Sequence, residues 1–363
     1  MAPEGELRVG LQLGDGRIRR VRIDSTRPEV ARALLQGRSR AELRAAVPLL
    51  FSICGHSQAL ANELACRAAL GEPVDAPVLA QGAAAVGAEM LREGARRTLL
   101  EAPRALGEVP DDAAIAAARQ TLNGRGGDAD AAVAAASFGM PAAQWLALDT
   151  LPDIDRWADA GRSAAARFLR RVRDDEAADG PCTAVAAAPA WLCGRQHEAW
   201  VDEIARRVAA DAGFARQPLL AGAPAETGAL ARQHDDALLQ AWMARAGART
   251  AARFLARLRE LAQLLDGATT SVVGAQALPD GAGMAWVENT RGVLVHWVRF
   301  EHDRAVALRI VAPTEWNFHP AGALAGALLD SPAATAEAAR RRCARLIDSL
   351  DPCVSYRVEI DDA

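Results

Sequence analysis

The sequence predicts an α+β protein that is predominantly helical. Three observations carry that reading: alanine-rich stretches with apolar residues at helical spacing, an alternating hairpin pattern near the N-terminus, and strand-like segments over residues 284–311. The 363 residues are 51% hydrophobic and only 4% aromatic, which suits a large alanine-rich helical protein. A formal charge of −4 gives no electrostatic case for nucleic acid or an anionic membrane as a partner. All 42 basic residues are arginine, and no function is read from that.

Taken in order, Leu7, Val9, Leu11 and Leu13 alternate, Gly14-Asp15-Gly16 turns, and Ile18, Val21 and Ile23 return, with a slip in parity after Ile18 that predicts a β-bulge. A basic amphipathic helix is expected from about residue 28 to 47. From Ser57 a helix carries Leu60, Ala61, Leu64, Ala65 and Ala68 on one face, and Gly71-Glu72-Pro73 stops it. Further helices are expected over 81–103, 155–175 and 199–212, with loops at 123–128 and 217–226. Residues 228–265 read as a long helical stretch broken near Gly247.

Strands follow over 284–288, 293–300 and 305–311. Ser331-Pro332 is expected to cap a last helix burying Ala336, Ala339, Cys343, Leu346 and Ile347. Asp351-Pro352 ends it, and Val354, Tyr356, Val358 and Ile360 alternate as a closing strand.

The opening residues carry no secretory signal pattern, and charged residues interrupt every apolar run well short of the ~18 residues a membrane span needs. Six cysteines, at 54, 66, 182, 193, 343 and 353, are too scattered for a disulfide framework, so a reducing cytoplasm is the expected location. Cys66, Cys182, Cys193 and Cys343 sit in apolar or helical contexts and read as core, as do Phe51, Trp286, Trp297 and Trp316. Cys54 is different. It stands just ahead of a helix N-terminus, where backbone N–H groups favour a thiolate, and a thiolate is both a nucleophile and a soft metal ligand. Its natural partner is Cys353 in Asp351-Pro352-Cys353.

Four segments together resemble the large subunit of nickel–iron hydrogenases, which has a C-x-x-C pair near its start and D-P-C-x-x-C at its end. Cys54-Gly55-His56-Ser57 resembles the first pair, and Asp351-Pro352-Cys353-Val354-Ser355-Tyr356 the last. Glu288-Asn289-Thr290-Arg291-Gly292 looks like the E-x-P-R-G stretch whose arginine overhangs the metal pair, with Thr290 for proline. Pro313-Thr314-Glu315-Trp316-Asn317-Phe318-His319-Pro320 resembles P-T-x-W-N-x-x-P. Both second cysteines are lost, to Ser57 and Tyr356, which are poor soft ligands. The family's histidine after the first pair falls at Ala61, and its C-terminal histidine near Glu359.

With these losses, and with the run from Glu226 to Arg232, the chain is similar to the HupK/HoxV accessory proteins. That resemblance implies one intertwined large-subunit-like domain over 1–363, since ends 299 positions apart (353 − 54) have to meet. It implies a non-catalytic assembly scaffold for nickel–iron hydrogenase maturation, transiently holding an iron fragment, Fe(CN)2(CO), through Cys54 and Cys353. Two thiolates would complete a five-coordinate iron but leave no four-thiolate nickel site, so nickel is not expected. Arg291 is the candidate donor to cyanide, Asp351 its orienting carboxylate, and His56 and His319 further ligands or donors. The expected partners are other maturation proteins and the hydrogenase large subunit. The rival readings are a metal-free mimic of the large subunit that binds partners, and a divergent metalloenzyme.

Overall fold

In a computed structural model, residues 5–26, 32–123, 126–179, 190–246, 249–268 and 271–361 are described. The chain divides into two compact units. One draws on Met1–Val86, Cys182–Arg232 and Ser271–Ala363, and the other on Gly87–Pro181 and Gln233–Thr270.

In the first unit both chain ends enter the same sheet. Strands β1 (Glu6–Gly14) and β2 (Arg17–Ser25) form the expected antiparallel hairpin. Its register passes from Gln12↔Arg20 to Leu13↔Ile18, so Arg19 is the extra residue of a bulge right after Ile18. The closing strand, β9 (Ser355–Asp361), runs parallel to β1, with Leu7 opposite Tyr356 and Val9 opposite Val358. Leu7, Val9, Leu11 and Ile18 are fully buried against Cys343, Leu346, Ile347 and Cys353.

The helix expected over 28–47 is divided. Gly37 takes a left-handed φ of +84°, which ends the first piece. Helix α1 (Arg40–Leu50) then starts afresh at Ser39, whose side chain accepts from the Glu42 amide while the Glu42 carboxylate accepts from the Ser39 amide. Residues 28–31 of that expectation lie outside the described residues.

Helix α2 (Gly55–Ala69) packs on a four-stranded antiparallel meander, β5 (Val273–Leu278), β6 (Ala282–Asn289), β7 (Gly292–Glu301) and β8 (Arg304–Val311). The approach is close: a Cβ added to Gly283 would lie 2.3 Å from the Ala65 carbonyl oxygen. The opposite face carries Met284, Trp286, Val295 and Trp297 into a second core with Trp200, Ile204 and Trp316. Trp200 and Ile204 come from helix α3 (His197–Ala210). With both faces covered, every residue of β6 is buried. Strand β5 was not among the sequence expectations. A two-stranded parallel pair, β3 (Ala190–Leu192) and β4 (Ala225–Thr227), completes the sheets.

The last helix, α4 (Ala336–Leu350), corrects the expected cap. Thr335, not Ser331, is its N-cap and accepts from the Ala338 amide. Ser331 instead turns back on the hairpin, its carbonyl accepting from the Ile18 amide. Strand β9 (Ser355–Asp361) follows.

The second unit is helical throughout its described residues. The expected 155–175 helix is two, Leu151–Ala160 and Ala164–Asp179, divided at Gly161 with φ +60°. Helix Ala76–Arg96 begins earlier than expected and runs into one wide turn, Arg97–Glu101. The stretch expected over 228–265 has an added break before Ala237, where the Asp236 carboxylate accepts from the Leu239 amide. The break expected at Gly247, and Cys182, lie outside the described residues. Among the described residues no helix is long and apolar enough to cross a membrane.

Candidate functional site

Arg291 sits in the two-residue turn between β6 and β7, and this turn is held from three sides. Gly292 has φ +128°, and a Cβ there would come within 2.3 Å of the Thr227 hydroxyl oxygen, so only glycine fits. The same hydroxyl accepts from the Val293 amide at 2.9 Å. The buried Arg232 guanidinium donates to the carbonyls of Asn289 (2.9 Å) and Thr290 (3.0 Å) and reaches the Glu288 carboxylate at 3.4 Å. Glu288, fully buried, accepts in turn from the Gly194 amide at 2.8 Å. Thus the 226–232 run is the clamp on the turn. The Arg291 amide is fixed by the Asn289 side chain at 3.0 Å, and its guanidinium Nε lies 3.7 Å from Asp351 Oδ1.

Asp351 closes α4 in a left-handed conformation, φ +60° and ψ +65°, directly before Pro352. A non-glycine residue held there is uncommon, and such backbone tends to cluster at functional sites. Two residues on, the Cys353 thiol is buried 3.1 Å from the Thr314 hydroxyl, which also accepts from the Cys353 amide at 3.4 Å. Thr314 lies in the short helix Pro313–Asn317. Asn317 of that helix accepts from the Thr227 amide at 2.9 Å and donates to the Leu350 carbonyl at 3.4 Å. Arg291, Asp351 and Cys353 therefore share one locked corner.

Cys54 is the N-cap residue of α2, reached through a tight 3-10 turn, and is buried. Gln58, one turn on, donates from Nε2 to its sulfur at 3.7 Å and accepts through Oε1 from His296 on β7 at 2.7 Å. Cys54 is thereby tied to the strand that starts at the Arg291 turn. His56 is exposed, pointing away from the buried face that carries Ser57 and Gln58. His319 is buried, its Nδ1 accepts from the Ala321 amide, and burial lowers its pKa below the usual histidine value. Among the described residues no three His, Cys, Asp or Glu side chains gather as a metal-ion site. A cleft of about 450 Å³ lined by Arg32, Gln36, Arg216 and Arg309 contains none of the predicted site residues. Arg309 there caps the C-terminal carbonyls of α3, Val208 and Ala209, and lies over Trp297.

The chain is 32% identical to the hydrogenase expression/formation protein HoxV of Cupriavidus necator, over 94% of this chain and 93% of that one. It is equally 32% identical to HupK of Rhizobium leguminosarum bv. viciae, with the same coverage. The chain belongs to the HoxV/HupK family. The model of the nickel-dependent hydrogenase family matches residues 194–358. The fold is that of the hydrogenase large subunit. The nickel–iron–selenium hydrogenase of Desulfovibrio vulgaris Hildenborough superposes with TM-score 0.55 at 17% identity, over 94% of each chain. The enzyme of Desulfomicrobium baculatum gives TM-score 0.55 at 14% identity.

At the two positions where this HoxV/HupK protein departs from the paired-cysteine pattern, the side chains do other things. Ser57 is fully buried in α2. The Tyr356 hydroxyl donates to Asp348 at 3.0 Å, and burial followed by the Asp348 charge raises its pKa, so it stays a phenol at neutral pH. Gln58, His296, Thr314, Arg232 and Glu288 were not singled out from the sequence as site residues. Arg232, Glu288 and Thr314 carry a signal there, as residues of matched segments. The others are polar residues in apolar frames, and their burial is visible only in the fold.

Proposed function

We propose that this protein is a non-catalytic scaffold in nickel–iron hydrogenase maturation that holds an Fe(CN)2(CO) fragment as cargo between Cys54 and Cys353. The observation that carries the reading is the corner itself. A buried guanidinium in the clamped turn lies 3.7 Å from a carboxylate at the end of the last helix, and the buried Cys353 thiol follows that carboxylate by two residues.

The residues present suit this cargo. Low-spin iron(II) that brings three diatomic ligands needs two soft donors more, and thiolates are the right type. Cyanide nitrogens accept hydrogen bonds, and the Arg291 guanidinium offers charged donors in a site where water is excluded. A group of three or more protein ligands is not needed for such cargo. Two sulfur donors, one of them at a helix N-terminus that favours its thiolate, hold less firmly than four, which suits a protein that must release what it holds. Partners would be the other maturation proteins and the hydrogenase large subunit. His56, exposed, fits contact with a partner better than contact with the iron, and His319 supports the Pro313–Pro320 turn.

A second reading is favoured by the shared fold alone: a protein shaped like the large subunit could engage the same partners without metal. Infrared spectroscopy on protein purified anaerobically from its host separates the two. Cyanide and carbonyl stretches are expected in the native protein, absent in Cys54→Ala and Cys353→Ala, with capture of partners unchanged. A native protein with no such bands, yet with partner capture intact, would leave the metal-free reading.

A further inference from the structure

We infer that Gln58 and His296 are positioning residues that set the donor strength of the Cys54 sulfur, and so how firmly the scaffold retains its iron cargo. The inference rests on Cys54 being a ligand, as proposed above.

The interface between α2 and the meander is alanine-rich and close-packed, as the contact at Gly283 shows. Burying an amide and an imidazole there is costly unless each is hydrogen-bonded, and a leucine in place of Gln58 would bury more cheaply. Yet both side chains are 1% exposed. They are joined end to end. His296 Nε2 lies 2.7 Å from Gln58 Oε1, which makes the ring nitrogen the donor. With its oxygen committed to the imidazole, the amide can only present its NH2 to the other side, and there Nε2 meets Cys54 Sγ at 3.7 Å. The imidazole therefore decides which end of the glutamine faces the sulfur. A chain of donors running one way polarises each bond along it, so the last N–H is a stronger donor than a lone amide.

An N–H aimed at a metal-bound thiolate withdraws sulfur density. The iron then receives less charge, passes less back to its carbonyl, and the carbonyl stretch moves to higher wavenumber. The same bond stabilises the thiolate against protonation and loss of the cargo. Cys353 is served differently, by the Thr314 hydroxyl at 3.1 Å, so the two sulfurs are unequal donors.

The test is infrared spectroscopy on full-length Gln58→Met and His296→Leu proteins isolated from the native host beside the unaltered protein, with iron content per chain and far-ultraviolet circular dichroism as controls. Methionine matches glutamine in length and flexibility but cannot donate. Both variants are expected to fold, to show the carbonyl band at lower wavenumber than the native protein, and to retain about tenfold less iron through dialysis, the worth of one hydrogen bond to a charged group. His296→Leu covers the case in which the first variant fails to fold, since it leaves Gln58 in place and removes only its orientation. Bands of unchanged position in a folded variant would overturn this inference and leave the scaffold reading intact. A native protein lacking the bands altogether would overturn both.

Discussion

Replacing Arg232 with methionine tests whether the clamp on the Arg291 turn is a principal support of the first unit. The substitution keeps an unbranched apolar stem but removes a guanidinium that contacts two turn carbonyls at 2.9 and 3.0 Å and a carboxylate that is 0% exposed. Summing separate charge-assisted bonds at roughly 1.5–3 kcal/mol each would overshoot, because the turn relaxes when they go. The better bound is the cost of removing one member of a buried ion pair, about 3–5 kcal/mol. Urea unfolding followed by tryptophan emission should show that loss, since Trp200, Trp286, Trp297 and Trp316 all lie in the core beside β6 and β7. Hydrogen exchange should locate it, with amides 288–293 opening first. Adding Glu288→Gln to the same variant should recover part of the loss, because a neutral amide still accepts from the Gly194 amide and no longer needs a cation beside it. A single variant within about 1 kcal/mol of the native protein would refute the reasoning, because a buried charge pair of that kind is not broken so cheaply.

Three further outcomes follow from individual side chains. Gly292→Ala should destabilise by at least about 2 kcal/mol in the same urea experiment, since it adds a Cβ 2.3 Å from the Thr227 oxygen at φ +128°. Burial lowers the His319 pKa, so between that value and the unfolded histidine's, near 6.5, the unfolded chain binds more protons. Stability is therefore expected to hold above about pH 6.5 and to fall as the solution is acidified below it, and His319→Asn should flatten that acid limb. Burial pushes Cys66 and Cys343 up to about 12, so iodoacetamide at pH 8 should leave both unlabelled in the native protein and label them in denaturant.

Much of the fold could be read from the sequence where a local pattern suffices. The hairpin, its bulge after Ile18 and the helix from Gly55 follow from periodicity and turn residues alone. What could not be read depends on contact between distant segments. Alternation at Tyr356, Val358 and Ile360 identifies a strand and its inner face, but nothing local says that it lies parallel to a strand near residue 9. The expected cap, Ser331-Pro332, lies one turn ahead of the N-cap that forms, Thr335. Thr335 wins because Ser331 is engaged by Ile18 of the hairpin. The apolar period continues on both sides of Gly161 and so predicts one helix, although the left-handed backbone of that glycine ends one helix there. At the site the cysteines and Arg291 stood out through short motifs. Gln58 and His296 did not, because a glutamine within an alanine helix and a histidine within a strand look like ordinary surface residues until their neighbours are known.

The distribution of buried polarity separates the parts of the fold that serve stability from the part that serves the corner. Along the four-stranded meander the side chains facing the second core are apolar, and apolar packing would serve equally well at the turn between β6 and β7. Instead Arg232, Glu288, Asn289, Thr227, Asn317 and Thr314 bring their polar groups together within the segments that surround Arg291 and Cys353. A polar network of this kind gains little net stability, but it fixes one geometry, because every member must be satisfied at once. The carbonyls of Asn289 and Thr290 meet the Arg232 guanidinium, and the Arg291 side chain leaves the same turn toward Asp351. The departures at Ser57 and Tyr356 lie outside this network. With Ser57 and Tyr356 at the second positions of the two pairs and the clamp in place, this chain has two fewer thiols than the resembled pattern and keeps the guanidinium's placement. That combination suits the proposed holder of cyanide-bearing iron, which calls for charged donors to cyanide and two thiolates rather than four.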